Sequence, residues 1–265
     1  MNTDPAVVVT RDGGLVTVTL TRPERLNALT FGSYRALADF FVAEGANDAT
    51  RAIIVTGSGK AFCSGGDVKE IIGALRGADM RTTLEFAWLT GELIRNMRRC
   101  DKPIIAAING ACAGAGAVIA AASDFRILAE GAGISFLFSK VGLTGADMGA
   151  AWLLPRLIGQ ARATEILMLG EKVDAARALD MGLVNETAPA AEVLAASWRL
   201  AEKLLALPPL ALRVTKRMLN NEWNMDLDSA IESEAQAQAL LMLGRDHTEF
   251  FEAFMGKRPP RFEGR

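Results

Sequence analysis

Apolar and polar positions along the first half of the chain predict short strands separated by helices. Residues 6–21 form two β-rich runs around a D-G-G turn, which predicts a hairpin. Apolar runs at 52–57 and 104–108 have the length of buried strands, and amphipathic helical patterns at 33–46 and 83–99 alternate with them. Repeated strand–helix turns of this kind predict an α/β domain.

The pattern becomes helical in the second half of the chain. From about residue 147 apolar positions recur at helical spacing, with breaks at Gly170, Gly182 and the Pro-Pro pair at 208–209. We therefore divide the chain into a core over residues 1–200 and a helical region over 201–265. We expect the helical region to pack on its own domain or on a neighbouring subunit.

Composition and charge exclude several classes of protein. Half of the 265 residues are hydrophobic, and the formal net charge is −2 with no basic block, so a nucleic-acid partner is not expected. The most apolar run, residues 103–125, is interrupted by Asn109 and several glycines, which predicts a buried strand and helix rather than a membrane span. The N-terminus has no signal-peptide pattern. These features predict a cytoplasmic protein with no membrane partner.

Cysteine and histidine are too few for several kinds of site. The three cysteines form no C-x-x-C pair, which favours a reducing cytoplasm. His247 is the only histidine, so a multi-histidine metal site is excluded, and a catalytic dyad would need His247 itself as the base. Its position in an amphipathic helical stretch favours a surface histidine. No metal is expected.

The stretch KAFCSGGDVKE, residues 60–70, allows three interpretations. A phosphate-binding loop is rejected, because Ala61 replaces the magnesium-binding hydroxyl and Ile54 replaces the first glycine. A nucleophile at Cys63 or Ser64 lacks a G-x-S-x-G setting and a nearby histidine, and a free cysteine is more often a small buried hydrophobe. The remaining interpretation uses the backbone around the two glycines.

Two glycine-containing loops lead from a predicted strand into a predicted helix. The SGGD loop follows the strand at 52–57 and enters a helix near Asp67, and the loop NGACAGAG follows the strand at 104–108. Glycine lets the backbone approach a ligand closely, and helix starts present unpaired N–H groups. Two such groups aimed at one point would form an oxyanion hole for a thioester oxygen. The alternative, which the glycines alone favour, is that they only permit tight packing.

Four motifs follow one another in a characteristic order and spacing. They are LTRPERLNALT (20–30), AFCSGGDVKE (61–70), PIIAAINGACAGAG (103–116) and FFEAFMGKRPPRFEG (250–264). Together they resemble the crotonase family of enoyl-CoA hydratases and isomerases over almost the whole chain. The resemblance implies a ββα spiral with a C-terminal helical trimerisation region, homotrimers or homohexamers, and acyl-CoA thioester substrates. Because coenzyme A is part of the substrate, no separate cofactor is implied.

The resemblance also implies which residues bind the substrate. The enolate oxygen would be held by the backbone N–H groups of Gly66 and Ala115. The second donor, Ala115, stands where the family usually has glycine. Ala115 must therefore adopt the backbone dihedral angles that the donor position requires. Arg25 matches a basic position that commonly meets coenzyme A phosphates, and a solvated loop arginine is the alternative. The other implied coenzyme A contacts are Ala61, Ser64, Gly65, Asp67 and Val68, together with Phe254 and Lys257, which can reach a neighbouring subunit's ligand.

Hydratases of this family use two glutamates, and both matching positions here lack one. Val118 occupies the first position, and Ser139 or Lys140 the second. Asp147, which precedes a retained WLLPR motif, matches an aspartate that some isomerase-type members use to shuttle a proton between carbons. In an apolar pocket its pKa would rise toward the working range. The alternative is that Asp147 caps a helix beginning near Met148.

We therefore expect an acyl-CoA enzyme that isomerises an enoyl double bond through an enolate, with Asp147 as the proton shuttle. The first alternative is an enoyl-CoA hydratase that pairs Asp147 with another carboxyl group. Glu70, Glu85 and Glu92 are candidates for that group, but their positions favour solvated helix faces. An alternative of another class is a catalytically silent acyl-CoA-binding or assembly protein.

Overall fold

The structure is a computed structural model that describes residues 4–264. The strands are β1 Val7–Asp12, β2 Leu15–Leu20, β3 Ala52–Gly57, β4 Ala61–Cys63, β5 Ile104–Ile108, β6 Ala111–Ala113, β7 Phe125–Ala129, β8 Gly133–Ser135, β9 Lys172–Asp174 and β10 Glu186–Ala188. The helices are α1 Phe31–Ala46, α2 Gly73–Leu75, α3 Met80–Arg99, α4 Ala115–Ala122, α5 Ala150–Ile158, α6 Gln160–Leu169, α7 Ala175–Asp180, α8 Val193–Leu205, α9 Pro209–Asn221, α10 Leu227–Met242 and α11 Arg245–Met255. Shorter helical turns cover Pro23–Arg25, Val68–Ile72, Leu137–Val141 and Glu222–Asn224.

The larger sheet has six strands in the order β1-β2-β3-β5-β7-β10. β1 and β2 are antiparallel, with Val7 opposite Leu20, so the predicted hairpin is confirmed. The other neighbours are parallel. Parallel neighbours need crossover connections, and α1, α3 and α4 lie on those connections. The predicted α/β class is therefore correct.

A second sheet, which the sequence does not predict, carries both glycine loops. It has four strands of three residues each, in the order β4-β6-β8-β9. β4 and β6 are parallel, with Ala61 opposite Ala111. β4 separates the strand at 52–57 from the SGGD loop, which the sequence interpretation does not include. The stretch NGACAGAG follows the strand at 104–108 and enters α4 as expected, but β6 lies within it. A three-residue strand is too short for a hydrophobic period to appear in the sequence.

The larger sheet is buried on both faces, which explains its continuous apolar runs. In β3, Ile53 and Val55 belong to one apolar cluster, whereas Ile54 belongs to another. The first cluster includes residues of both sheets and of α1, α3 and α4. The second cluster lies on the opposite face and includes residues of α8. The sheet therefore forms a rigid base for the loops that follow its strands.

Helices α9–α11 extend beyond the sheets. The sequence boundary at residue 200 falls inside α8, whose Val193 is buried in the second cluster. Lys216 ties α9 to the core through an ion pair with Asp124, with Nζ and Oδ2 separated by 2.6 Å. α10 buries none of its residues, and α11 buries only Ala253. Across residues 4–264, none of the helices combines the length and the apolarity that crossing a bilayer requires.

Candidate active site

The first glycine loop leaves the N–H group of Gly66 unpaired. Leu29 N–H donates to the Gly65 carbonyl and the Leu29 carbonyl accepts from Asp67 N–H, both at 2.8 Å. Leu29 therefore pairs with the residues on either side of Gly66, so the N–H of Gly66 points away from this partner strand. Within residues 4–264 that N–H has no hydrogen-bond acceptor. It is available to an external oxygen.

The second loop presents a matching N–H group at the start of α4. Ala115 is the first residue of this helix, where intrahelical acceptors are lacking, and the described part of the chain offers its N–H no other acceptor. Gly114 adopts φ 54° and ψ −124°, a conformation that only glycine takes readily. The unusual backbone angle is thus at Gly114. Ala115 itself is helical, so its side chain is compatible with the expected donor position.

The two loops lie against each other. Gly65 has φ +101°, and a Cβ atom placed on it would be 3.5 Å from the Ala115 nitrogen and 3.5 Å from the Gly114 Cα. A side chain at Gly65 would therefore occupy the space between the loops. The structure brings the expected donor residues Gly66 and Ala115 into neighbouring positions, which is the requirement for two donors to share one oxygen.

Asp147 lies in an irregular segment before α5. Its Oδ1 accepts the Met148 N–H at 2.8 Å, and burial raises the pKa of its carboxyl group. α5 begins at Ala150, and Gly149 is its N-cap residue, so the predicted cap by Asp147 on a helix beginning near Met148 is not present. Met148 is buried and has φ +51°, an unfavourable angle for a residue with a side chain. Such strained positions are concentrated at functional sites.

A cavity of about 730 Å³ opens immediately beyond Asp147. It lies between α3, α5 and α9, and its lining includes neither Gly66 nor Ala115, so the glycine loops are not part of it. The lining residues include Met148, Gly149 and Trp152 together with the basic Arg95, Arg98, Arg99, Lys216 and Arg217.

The positions of the two family glutamates carry no carboxylate. Val118 is fully buried in α4, and Ser139 and Lys140 belong to the helical turn Leu137–Val141. The three other glutamates considered from the sequence are each paired with an arginine. These pairs are Glu70 with Arg22 at 2.7 Å, Glu85 with Arg81 at 2.9 Å and Glu92 with Arg35 at 3.1 Å. All three glutamate side chains are 40% or more exposed.

Several of the residues expected to contact coenzyme A lie together. Ser64 N–H donates to the Leu26 carbonyl at 3.0 Å, and the Ser64 hydroxyl donates to the Arg25 carbonyl at 3.4 Å. The Arg25 side chain is exposed beside this loop. Ala61 is buried in β4, whereas Val68 is 72% exposed on the next helical turn. Arg25, Ser64 and Val68 thus flank the Gly66 loop.

Asp67 has a structural role that is visible in the fold. It is the N-cap residue of the turn Val68–Ile72, and its carboxylate accepts the N–H groups of Lys69 and Glu70. The hydrogen bond from the Glu70 N–H is the main reason that the Asp67 pKa is lowered, and an ion pair with Arg22 at 3.1 Å contributes. Asp67 therefore fixes the end of the Gly66 loop.

Phe254 and Lys257 lie in the C-terminal region rather than among these loops. Phe254 is 71% exposed on α11, and Lys257 is exposed just after it. Phe254 packs on Phe250 with ring centroids 6.2 Å apart. Their expected contact with another subunit's ligand stays a prediction. His247 is exposed on the same helix, as expected for a surface histidine.

Sequence reasoning missed two buried polar residues near the loops. Asn27 is 1% exposed, and its amide nitrogen donates to the Ser58 carbonyl at 2.9 Å and the Ala61 carbonyl at 2.7 Å. Tyr34 is 2% exposed, and its hydroxyl lies close to Gly66. A signal for Asn27 was present in the motif RLNAL, but a single polar letter does not reveal its partners. Burial raises the pKa of the Cys63 thiol to about 12, which agrees with the interpretation of Cys63 as a buried hydrophobe.

Comparisons with known proteins identify the family of the chain. The model of the enoyl-CoA hydratase/isomerase family matches residues 10–265. The 1,2-epoxyphenylacetyl-CoA isomerase of Escherichia coli strain K12 is 32% identical over 252 residues, which cover 95% of this chain and 96% of that protein. A probable enoyl-CoA hydratase of Rhodobacter capsulatus is 37% identical over 253 residues, which cover 95% of each chain.

The fold agrees equally well with a solved structure. A protein from Streptomyces coelicolor A3(2), assigned as an enoyl-CoA hydratase, has a crystal structure that is similar with a TM-score of 0.96 and 46% sequence identity. The match covers 98% of this chain and 94% of that one. The expected crotonase-type fold with its C-terminal helices is therefore confirmed.

Proposed function

This chain belongs to the enoyl-CoA hydratase/isomerase family, and from that premise we propose that it is an enoyl-CoA double-bond isomerase. The observation that carries the proposal is the half-buried carboxylate of Asp147, whose charge acts on the Tyr34 hydroxyl beside Gly66. It therefore lies in the region of the Gly66 and Ala115 N–H groups, which have no acceptor within residues 4–264. The family's two hydratase positions hold no acid, at Val118 and at Ser139 or Lys140. A 1,3-proton shift needs only one group that accepts and returns a proton.

The Gly66 and Ala115 N–H groups bind the thioester oxygen in this proposal. Removal of a proton from C2 of a 3-enoyl-CoA places negative charge on that oxygen. Donors that are already oriented toward the developing charge stabilise it without further reorganisation. The bonds that flank Gly66 and the helix start at Ala115 provide that fixed orientation.

Asp147 carries the proton. Its ionised carboxylate takes the C2 proton, and the resulting carboxylic acid returns a proton to C4 as the electron pair moves, which yields the 2-enoyl-CoA. Burial raises the Asp147 pKa, which makes the carboxylate a stronger base than an exposed aspartate. Only one hydrogen bond, from Met148, holds this carboxylate within residues 4–264, so its second oxygen remains available.

The coenzyme A portion is proposed to bind along the outer edge of the first loop. Arg25 faces the phosphates as a point of positive charge, and Ser64 and Val68 border the adenine. Ala61, Gly65 and Asp67 shape and hold this loop from the protein side. Phe254 and Lys257 would contribute from another subunit. No other cofactor is needed for a proton shift.

A homotrimer or homohexamer is the proposed assembly, because the C-terminal helices expose many large apolar side chains. Leu240, Leu243, Phe254 and Met255 are each more than 60% exposed. Exposure of this extent usually marks an interaction surface. Light scattering on the purified protein would distinguish a trimer or hexamer from the monomer.

The test of the reaction is product mass. The protein is incubated with a panel of 2-enoyl- and 3-enoyl-CoA thioesters of different chain lengths. The products are separated, and their molecular masses are determined by mass spectrometry. We expect products of unchanged mass with a displaced double bond. Products heavier by one water would contradict the proposal and support the hydratase, the reaction that the Rhodobacter capsulatus relative's name indicates. Binding without turnover would support a silent acyl-CoA-binding protein.

A further inference from the structure

Tyr34 is a buried tyrosine whose hydroxyl has no partner. It lies on α1, is 2% exposed, and its ring meets the Phe86 ring edge to face with centroids 5.5 Å apart. A buried tyrosine hydroxyl normally finds a hydrogen-bond partner. Within residues 4–264 the Tyr34 hydroxyl has none, and it is not among the fully enclosed orphan atoms either. The oxygen therefore faces an open space.

That open space adjoins both parts of the candidate site. A Cβ atom placed on Gly66 would be 3.6 Å from the Tyr34 hydroxyl oxygen, so the hydroxyl lies beside the residue that provides the first N–H donor. Burial is the main reason that the Tyr34 pKa is raised, and the charges of Cys63 and Asp147 raise it further, which places the carboxylate nearby. The two are not hydrogen-bonded, so a substrate atom or a water can lie between them.

The chemistry of this hydroxyl is that of a donor. Because its pKa is raised, the phenol keeps its proton at working pH and cannot act as a base. A neutral hydroxyl in a site with little water is an effective donor to an oxygen on which negative charge develops. The aromatic ring is fixed by packing, so the donor needs little reorganisation when the charge appears.

We propose that Tyr34 is a further catalytic residue, whose hydroxyl donates a third hydrogen bond to the thioester oxygen beside the Gly66 N–H. The inference rests on the proposed enolate reaction. The bond strengthens as the enolate forms and weakens when the proton returns to carbon. Tyr34 thereby increases the rate without taking part in the proton transfer itself.

Substitution by phenylalanine separates this role from a structural one. Tyr34→Phe removes one oxygen and keeps the ring that contacts Phe86. Since the oxygen has no partner among the described residues, we expect the melting temperature to stay the same or rise. We expect kcat to fall about 10- to 100-fold while KM changes by less than about 2-fold. The structural control is Phe41→Leu, at a buried position on the same helix, which should lower the melting temperature while kcat changes much less.

The single tyrosine of the chain allows a direct test of contact. Growth with 3-fluorotyrosine labels position 34 alone, so the protein gives one ¹⁹F resonance. We expect this resonance to move on addition of acetoacetyl-CoA, which can bind as an enolate, and to move less with free coenzyme A. Calorimetry on the same samples establishes whether each compound binds.

The outcomes separate this inference from the proposed function. An unmoved resonance with acetoacetyl-CoA bound, or a Tyr34→Phe variant with wild-type kcat, would overturn the role of Tyr34 and leave the isomerase proposal intact. Absence of any acyl-CoA binding or turnover in the wild-type protein would overturn both. A parallel loss of melting temperature and activity in Tyr34→Phe would make Tyr34 a structural residue.

Discussion

The two halves of the candidate site are held in opposite ways. The carbonyl-binding half, residues 63–67 and 113–116, lies between paired strands and is bonded on both sides of Gly66. The carboxylate half, residues 142–149, is largely exposed irregular chain in which one 2.8 Å hydrogen bond, from the Met148 N–H, holds the Asp147 side chain. Donors to a developing charge must be fixed, whereas a group that serves two carbons must retain some freedom.

This difference predicts opposite relations between activity and stability. In the carbonyl-binding half the N–H groups that would bind substrate lie between residues that are bonded into the fold, so damage to those residues should lower both activity and stability. In the carboxylate half, Asp147 is partly desolvated and has no ion pair within residues 4–264, and Met148 has a positive φ. A substitution that removes the desolvated charge of Asp147 or the positive φ of Met148 should stabilise the fold while activity is lost.

The largest effect is expected from Asp147→Asn. General base catalysis contributes roughly 10²- to 10⁴-fold, so we expect kcat to fall about 10³-fold. Because an amide does not carry the buried charge, the free energy of unfolding at neutral pH should rise. Isomerase assays and chemical denaturation measure the two quantities. Asp180→Asn, which changes an exposed aspartate on α7, is the matched control and should change neither. A destabilised Asp147→Asn would remove the proposed contrast.

Gly65→Ala should cause the next largest loss of activity. Unlike Asp147→Asn, it should also lower the stability of the fold. The added Cβ would be 3.3 Å from the Ala113 carbonyl oxygen and 3.5 Å from the Ala115 nitrogen, at φ +101°. We expect kcat to fall about 10²-fold, as for loss of an oxyanion donor, and the melting temperature to fall with it.

Gly131→Ala is the control for backbone strain alone. Gly131 has φ +78°, but no atom of the described part of the chain lies within 4 Å of an added Cβ. The Gly131→Ala variant should be less stable than the wild type and should keep its activity. Equal losses of activity in the two variants would indicate that Gly65 acts through general stability rather than through the position of Ala115.

The two halves should also contribute to the stability of the fold with different pH dependences. The raised Asp147 pKa means that the folded state holds this proton more tightly, so its contribution to stability is present at low pH and is lost as pH rises through the raised pKa. The lowered Asp67 pKa contributes stability that is present at neutral pH and is lost as pH falls through that pKa.

Activity should therefore rise with pH where the Asp147 contribution to stability falls. We expect the acid limb of kcat/KM to lie above the pKa of an ordinary aspartate, and the stability gain of Asp147→Asn to grow across the same pH interval. Denaturation and rate profiles of both proteins measure this. A stability gain that does not change with pH would contradict the assignment of a desolvated carboxyl group.

The smallest effect is expected at the edge of the carbonyl-binding half. Arg25 is exposed, and exposed charges contribute little and are screened by salt. Arg25→Ala should raise KM a few-fold at low ionic strength, with kcat unchanged and the effect reduced in 0.5 M salt. Arg199→Ala, an exposed arginine on α8, is the control. A fall in kcat would place Arg25 closer to the reaction than proposed.

The parts of the fold with a clear period could be predicted from sequence. The hairpin, β3, β5 and helices α1 and α3 follow from their apolar patterns. The second sheet could not be predicted, because each of its strands has three residues and its pairings join distant positions, such as Ala61 and Ala111. The same sheet positions both glycine loops. The sequence therefore could not reveal which elements bring the two loops together.

In the site, too, residues in local motifs could be predicted, whereas residues that depend on partners distant in the sequence could not. Gly66, Ala115 and Asp147 stand in local motifs, so the sequence could identify them as candidates. Asn27 and Tyr34 owe their importance to distant partners, the Ala61 carbonyl and Gly66, which no local pattern reveals. Whether Asp147 caps a helix depended on the angles of Met148 and Gly149, and only the structure supplies them.

The most direct test of the proposed chemistry is deuterium incorporation during turnover. A 3-enoyl-CoA is converted in heavy water by the wild-type protein, Asp147→Asn and Asp180→Asn, and the position of deuterium in the product is determined by mass spectrometry and NMR. We predict 2-enoyl-CoA from the wild type and Asp180→Asn, with deuterium at C4 in those turnovers in which the protonated Asp147 exchanges with the solvent and the original C2 hydrogen at C4 in the others. We predict almost no conversion by Asp147→Asn. Equal conversion by all three proteins, or a hydrated product, would contradict a proton shuttle at Asp147.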